Sequence, residues 1–89
     1  MPQALIEAMA RGKICIVSNN LGNLDIISDG VNGFVFENGN ASDLAKKLNH
    51  ILKMPDKQLQ KIAKNGRKSV EQFAWNKIVN KIDKLIKQT

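Results

Sequence analysis

This 89-residue chain predicts an α/β fold, with two parallel strands covered by about four to five helices, and three observations carry that prediction. Ile14 to Val17 is an unbroken, partly β-branched apolar run of the kind found in strands covered on both faces. A second, shorter strand follows at Gly33 to Phe36, bounded by the turn residues Ser28-Asp29-Gly30 and Glu37-Asn38-Gly39-Asn40. On either side of these strands the apolar residues recur at helical spacing and do not alternate.

The elements follow in order. Leu5, Ile6, Met9 and Ala10 give residues 2–11 a helical pattern, with Pro2 in a first turn that does not need its missing N–H and Gly12 at the αL position that ends the helix. After the first strand, Ser18-Asn19-Asn20 and Gly22-Asn23 read as a polar loop, and Leu24-Asp25-Ile26-Ile27 as a single helical turn. In Asp29-Gly30-Val31-Asn32-Gly33, both glycines suit turn positions with φ above zero. Asn40 is a good N-cap with Asp43 three residues on, approximating a capping box. The stripe Ala41, Leu44, Ala45, Leu48, Ile51, Leu52 then continues until Pro55 ends the helix. Asp56 caps a further helix over 56–72 whose apolar side holds Leu59, Ile62, Ala63, Val70 and Phe73, with Gly66 marking a close packing contact. Phe73-Ala74-Trp75 reads as an aromatic corner before a last amphipathic helix over 75–88, with Ile78, Val79, Ile82, Leu85 and Ile86 as its apolar positions.

A single partial domain over 1–89 is therefore expected, an α/β core over 1–52 followed by basic C-terminal helices over 53–89. Two strands are few for such a domain, so the sequence looks like half of a doubly wound sheet with an open strand edge at Ile14 to Val17. That edge predicts pairing with a second copy.

Composition bounds the function. A chain of this size buries only roughly 60–65% of the surface its unfolded form exposes, too little for a two-domain catalyst. Cys15 is the one cysteine and lies in the apolar strand, so a buried structural thiol and a reducing, cytoplasmic setting are expected. No apolar run reaches the length of a membrane span, and the N-terminus lacks the order of a signal peptide. The net charge of +6 is lopsided, since residues 1–52 carry four basic and five acidic side chains and residues 53–89 ten basic and three acidic. A solvated lysine face and attraction to an anionic membrane surface both fit. Nucleic acid does not, because no aromatic stacking residues interleave with the lysines. His50 stands alone without Cys, Asp or Glu at ligand spacing and reads as a surface residue, so no metal site is expected, and no Ser–His–Asp pattern or phosphate loop is present.

Glu7 sits near the start of the first helix among apolar neighbours, where a carboxylate can accept hydrogen bonds from two vicinal hydroxyls such as those of ribose. The residues Ile6-Glu7-Ala8-Met9-Ala10, with Asp29-Gly30-Val31-Asn32-Gly33-Phe34-Val35-Phe36, resemble the C-terminal portion of a family 4 type, retaining glycosyltransferase of the GT-B architecture. The resemblance covers almost the whole chain and implies a partial Rossmann-like, nucleotide-sugar-binding domain. It makes Glu7 the ribose-binding glutamate that closes a motif of two glutamates separated by seven residues. The opening glutamate, which meets the donor sugar, would fall two places before Met1, so Met1 is expected to be an internal methionine of a longer reading frame. The resemblance also places the backbone N–H groups of Gln3 and Ala4 at the sugar and diphosphate, and offers Ser18 and Gly22 as loop contacts. The loop departs from the family pattern, with Leu21 before Gly22 and Leu24 where proline is common.

The expected function is a fragment of a nucleotide-sugar-dependent glycosyltransferase of polysaccharide or glycolipid synthesis. It contributes part of the donor site, needs no cofactor beyond the UDP- or GDP-sugar its parent uses, partners the missing N-terminal domain, and has no catalytic residue of its own. The competing expectation is an independent basic α/β module binding a membrane surface or an acidic partner, at the inner face of the membrane.

Overall fold

The computed structural model describes residues 3–87. Its elements are α1 (Gln3–Ala10), β1 (Ile16–Ser18), α2 (Leu21–Leu24), β2 (Phe34–Phe36), α3 (Ala41–Leu52) and α4 (Asp56–Lys87). Pro2, expected in the first turn of α1, lies outside the described residues, as do the side chains of Leu85 and Ile86. The two strands form a parallel pair with Ile16 opposite Phe34, Val17 opposite Val35 and Ser18 opposite Phe36, and an isolated bridge joins Asp29 to Gly33.

Gly12 performs the reversal that its type allows. Its φ of 72° lets Lys13 N–H reach the Ala8 carbonyl at 3.0 Å and Gly12 N–H reach Met9 at 3.0 Å, a Schellman closure that satisfies the last carbonyls of α1 and turns the chain into β1. The expected cap of α3 also forms, with the Asn40 side chain accepting from Asp43 N–H at 3.0 Å.

Met9, Cys15, Ile27 and Val70 are the buried centre, with Leu5, Ile6, Ala8, Val17, Ile26 and Val35 packed against them. α1 lies on α4, and α3 lies on β2. Burial pushes the Cys15 thiol above its ordinary pKa, and Sγ donates to the Lys13 carbonyl at 3.7 Å. The side chain therefore acts as a small hydrophobe with a weak donor.

Four features depart from the expectations. The helical turn after β1 is at Leu21–Leu24, one turn earlier than expected, because extended Asn20 starts it and Asn23 Nδ2 donates back to the Ser18 carbonyl at 3.0 Å. β1 likewise begins at Ile16 and runs to Ser18. Gly30 does take a positive φ of 76°, whereas Gly33 does not. Gly33 is needed for space instead, since a Cβ there would stand 2.9 Å from Ile27 Cδ1 and 3.1 Å from the Cys15 carbonyl oxygen.

The fourth departure is the largest: α4 is one helix of 32 residues, with no corner at Phe73-Ala74-Trp75. Nothing between Gly66 and Lys87 breaks a helix, and contacts one turn apart span the expected corner. Gln72 Nε2 donates to Asn76 Oδ1 at 3.0 Å, and Lys77 Nζ lies 5.7 Å from the centre of the Phe73 ring. What changes at that point is the side on which the apolar residues fall. Leu59, Ile62, Ala63, Gly66, Val70 and Phe73 fall on one side, whereas Trp75, Ile78, Val79 and Ile82 are centred about 160° away at 3.6 residues per turn. The first stripe is buried or half-buried up to Val70; the second is exposed.

The outer edge of β2 is closed by carboxylates. Asp29 Oδ1 accepts from Val35 N–H at 2.9 Å, and Asp43 Oδ2 accepts from Glu37 N–H at 2.6 Å. Asp29 also pairs with Lys47 at 2.6 Å. Partial burial raises the Asp29 pKa, but the hydrogen bond and charge of Lys47 and the Val35 N–H outweigh it, and the net shift is downward from 3.8. A carboxyl whose folded pKa is depressed stabilises the fold above its unfolded pKa, and that contribution is lost as pH falls through the folded value. Urea midpoints of the wild type and Asp29→Asn are therefore expected to differ at neutral pH and to converge below pH 3.8. A gap that stays constant on acidification would contradict this role for the ionised carboxylate.

On β1, the groups that bond to β2 belong to alternate residues, as in Phe34 N–H to Cys15 at 2.8 Å and Asn19 N–H to Phe36 at 2.9 Å. The N–H groups of Ile16 and Ser18 consequently point to the opposite side of β1. Among the described residues no strand pairs with that side of β1, the open edge expected from the sequence.

Candidate functional site

The placement of Glu7 follows from the packing of α1. Met9 is fully buried, Leu5, Ile6 and Ala8 are half-buried, and Ala4, Glu7, Ala10 and Arg11 are exposed. One side of the helix is thus anchored in the core while the Glu7 carboxylate stands on the free side. None of the described ion pairs or side-chain hydrogen bonds engages that carboxylate. The amides of Gln3 and Ala4 belong to the first turn, where N–H groups have no acceptor within the helix. An exposed carboxylate and helix-start donors therefore share one short helix, an arrangement suited to a hydroxyl pair and an anion.

The loop after β1 is stiffer than its composition suggests. Asn19 Oδ1 accepts from Asn38 N–H at 2.9 Å, which ties the carboxyl ends of the two strands together. Ser18 is half-buried, and its carbonyl already accepts from Asn23. Gly22 is exposed but lies inside α2, not in an open loop. Ile6 shares a small cleft of about 120 Å³ with Asp25, Ile26, Ser69, Val70 and Phe73, so α1 meets the segment that follows α2. The structure thereby brings α1 to the segment after α2, with Ile6 and not Glu7 as the link. His50 is exposed on α3. Among the described residues no three His, Cys, Asp or Glu side chains stand close enough to hold a metal ion.

Asn32 is the residue that sequence reasoning passed over, taking it only as part of a turn. It is the buried polar side chain of the core. Its Oδ1 accepts from Ser28 N–H at 2.7 Å, and its Nδ2 donates to the Ile26 carbonyl at 2.8 Å and to Ser69 Oγ at 3.0 Å. Asn65 Nδ2 also donates to the Val31 carbonyl at 2.9 Å. These bonds fasten the 29–33 turn to α4. The visible signal was an amide between Val31 and the Gly33-Phe34 pair, with its partner on α4 out of reach of local reading.

Comparison with known proteins places the chain in a family. The family described as "Glycosyl transferases group 1" matches residues 1–69. Spore coat protein SA of Bacillus subtilis is 31% identical over 78 residues, covering 85% of this chain and 20% of that protein. The Escherichia coli UDP-Gal:alpha-D-GlcNAc-diphosphoundecaprenol alpha-1,3-galactosyltransferase is 36% identical over 86 residues, covering 96% of this chain and 21% of that protein. Anabaena HepE, solved in complex with UDP and glucose, superposes with a TM-score of 0.81 at 24% identity over 100% of this chain and 24% of its own. The chain thus spans about one fifth of the length of the curated relatives it matches. With the family matched over most of its residues, this α/β chain belongs to the group 1 glycosyl transferases.

Proposed function

We propose that the chain is part of the donor-binding half of a nucleotide-sugar-dependent glycosyltransferase. The observation that carries this reading is the exposed Glu7 carboxylate on a helix whose other side is locked into the core, inside the segment that the family matches. In this reading Glu7 accepts hydrogen bonds from the ribose hydroxyls of the donor. The first-turn amides of Gln3 and Ala4 face the diphosphate and sugar, where the positive end of the helix favours anions, while Ser18 and Gly22 border the ligand at the carboxyl end of β1. The donor is read as a UDP-sugar, which draws support from the UDP-glucose complex of HepE. The acceptor belongs to polysaccharide or glycolipid synthesis, as the lipid-linked acceptor in the name of the galactosyltransferase suggests.

Transfer needs preorganised charge at the leaving diphosphate and a positioned acceptor. In this reading the first turn of α1 supplies part of the charge at the diphosphate, the acceptor side belongs to the rest of the parent, and the chain by itself does not catalyse. The free edge of β1 is read as the seat of a neighbouring strand of the parent sheet and, in the chain by itself, of a second copy. No helix of the described residues is long and apolar enough to cross a membrane; a position at the inner face of the membrane belongs to the same proposal.

The test is a binding cycle. Glu7→Ala is expected to weaken UDP about tenfold or more, as for lost hydrogen bonds to a charged group. A UDP analogue lacking both ribose hydroxyls should bind the two forms alike. Equal loss for both ligands would show that Glu7 does not read the ribose.

A further inference from the structure

The sequence holds three Asn-Gly pairs, Asn32-Gly33, Asn38-Gly39 and Asn65-Gly66, and the fold treats them differently. Asparagine followed by glycine is where a backbone nitrogen most readily attacks the preceding side-chain amide, because glycine has no Cβ to hinder the approach. Ring closure needs the asparagine ψ to bring the next nitrogen round to Cγ, and it needs room beside the glycine. Asn32 has neither. Its amide is held by three hydrogen bonds, and a Cβ at Gly33 would already meet Ile27 Cδ1 at 2.9 Å. Asn65 lies inside α4, where the helical ψ holds the Gly66 nitrogen away from the side chain. Its amide donates to the Val31 carbonyl at 2.9 Å, and a Cβ at Gly66 would stand 3.0 Å from the Asn32 carbonyl oxygen. Asn38 differs on each count. Asn38 and Gly39 are both exposed, and a Cβ at Gly39 would meet nothing within 4 Å. None of the described hydrogen bonds engages the Asn38 side-chain amide or the Gly39 N–H. The pair forms the tip of a turn in which Gly39 has a φ of 77°. That turn is closed near the surface by Asn40 N–H to the Glu37 carbonyl at 3.1 Å and by Asn40 Nδ2 to Glu37 Oε2 at 2.9 Å, so ψ of Asn38 can swing whenever these bonds open.

We propose that Asn38 is a site of spontaneous deamidation in the folded chain. The Gly39 nitrogen attacks Cγ of Asn38, and the new C–N bond closes a succinimide ring. The side-chain nitrogen leaves as ammonia, taking with it the proton of the Gly39 N–H. Water then opens the ring at either carbonyl carbon and leaves aspartate or isoaspartate. No oxidant, reductant or enzyme takes part. Both products put a new carboxylate beside Glu37, and isoaspartate also lengthens the backbone by its Cβ. That change falls next to the bond from Asn38 N–H to Asn19 Oδ1, which ties the carboxyl ends of the two strands together. Its consequence for the donor loop rests on the proposed function, whereas the reaction itself does not.

The test is to age the whole chain at mildly alkaline pH, folded and in urea, and to locate isoaspartate by peptide mapping and by labelling with a protein isoaspartyl methyltransferase. In urea the three pairs are expected to react alike. In the folded chain Asn38 is expected to convert within about tenfold of its rate in urea, because only a surface turn must open, and Asn32 and Asn65 at least about tenfold more slowly than Asn38. Asn38→Ser should remove the fast product and, at an exposed position, leave the far-UV circular dichroism unchanged. Conversion of Asn32 or Asn65 as fast as Asn38 in the folded chain overturns the proposal. So does an Asn38 that stays intact in the folded chain while the chain in urea is converted. Mass and labelling are read without UDP, so failure here leaves the donor reading untouched.

Discussion

Replacing Asn32 by Ala is expected to cost about 3–5 kcal/mol, a loss as large as emptying a core position. Three hydrogen bonds vanish at once, each with a net contribution of about 1 kcal/mol. The Ser28 N–H and Ile26 carbonyl that they satisfied are left facing a site only 9% exposed, and each stranded group adds up to about 1 kcal/mol where water enters the space left by the amide. Domains of this kind hold roughly 5–15 kcal/mol in total, so the variant should be close to unfolding. Ser69→Ala is the internal control. It removes one of the three bonds and should cost about 1 kcal/mol, since Asn32 keeps both backbone partners. Urea titrations of the three proteins decide the matter. Equal losses for both variants would mean that the turn 29–33 holds its shape without the Asn32 amide.

Gly66→Val sets two effects of opposite sign against each other. Gly is the poorest helix former after Pro, so propensity alone promises a gain of a few tenths of a kcal/mol for Val. Packing opposes it. A Cβ at position 66 would stand 3.0 Å from the Asn32 carbonyl oxygen and 3.7 Å from Met9 Cε. Met9 can move its flexible end, whereas the backbone of Asn32 is fixed by the three bonds of its own side chain. Valine also adds two methyl groups beyond Cβ at a buried position, so overpacking of about 3 kcal/mol is expected and outweighs the propensity gain. A lowered thermal midpoint is the expected result. A raised one would show that α4 can slide away from the 29–33 turn.

These two residues also show where local reading ends. The reversal at Gly12, the cap at Asn40 and both strands were legible because each depends on neighbours within a few positions. Gly66 was legible as a close contact, since glycine inside a helical pattern calls for a reason. Asn32 was not, because its partner Ser69 lies 37 positions away. Gly33 was assigned to the wrong cause for the same reason, as the atoms that crowd it belong to Cys15 and Ile27. The break expected at Phe73-Ala74-Trp75 was read from an aromatic corner between two apolar stripes, whereas in the structure the stripe shifts around one continuous helix. A shifted stripe and a broken helix look alike in sequence, and the absence of Gly or Pro there favours the continuous helix that forms. Of the candidate site, the position of Glu7 on a free helix face was legible from the apolar spacing around it. The helical state of Gly22 was not, because a four-residue helix carries no periodicity to read.

The central claim is that α1 presents the donor contacts, and its most direct measurement is an NMR titration of the chain with UDP, following backbone amides. Saturable shifts confined to Gln3, Ala4 and Glu7 and to the Ser18–Gly22 segment are predicted, with the α3 amides unmoved. Saturable shifts centred elsewhere, or none at millimolar UDP, would contradict it.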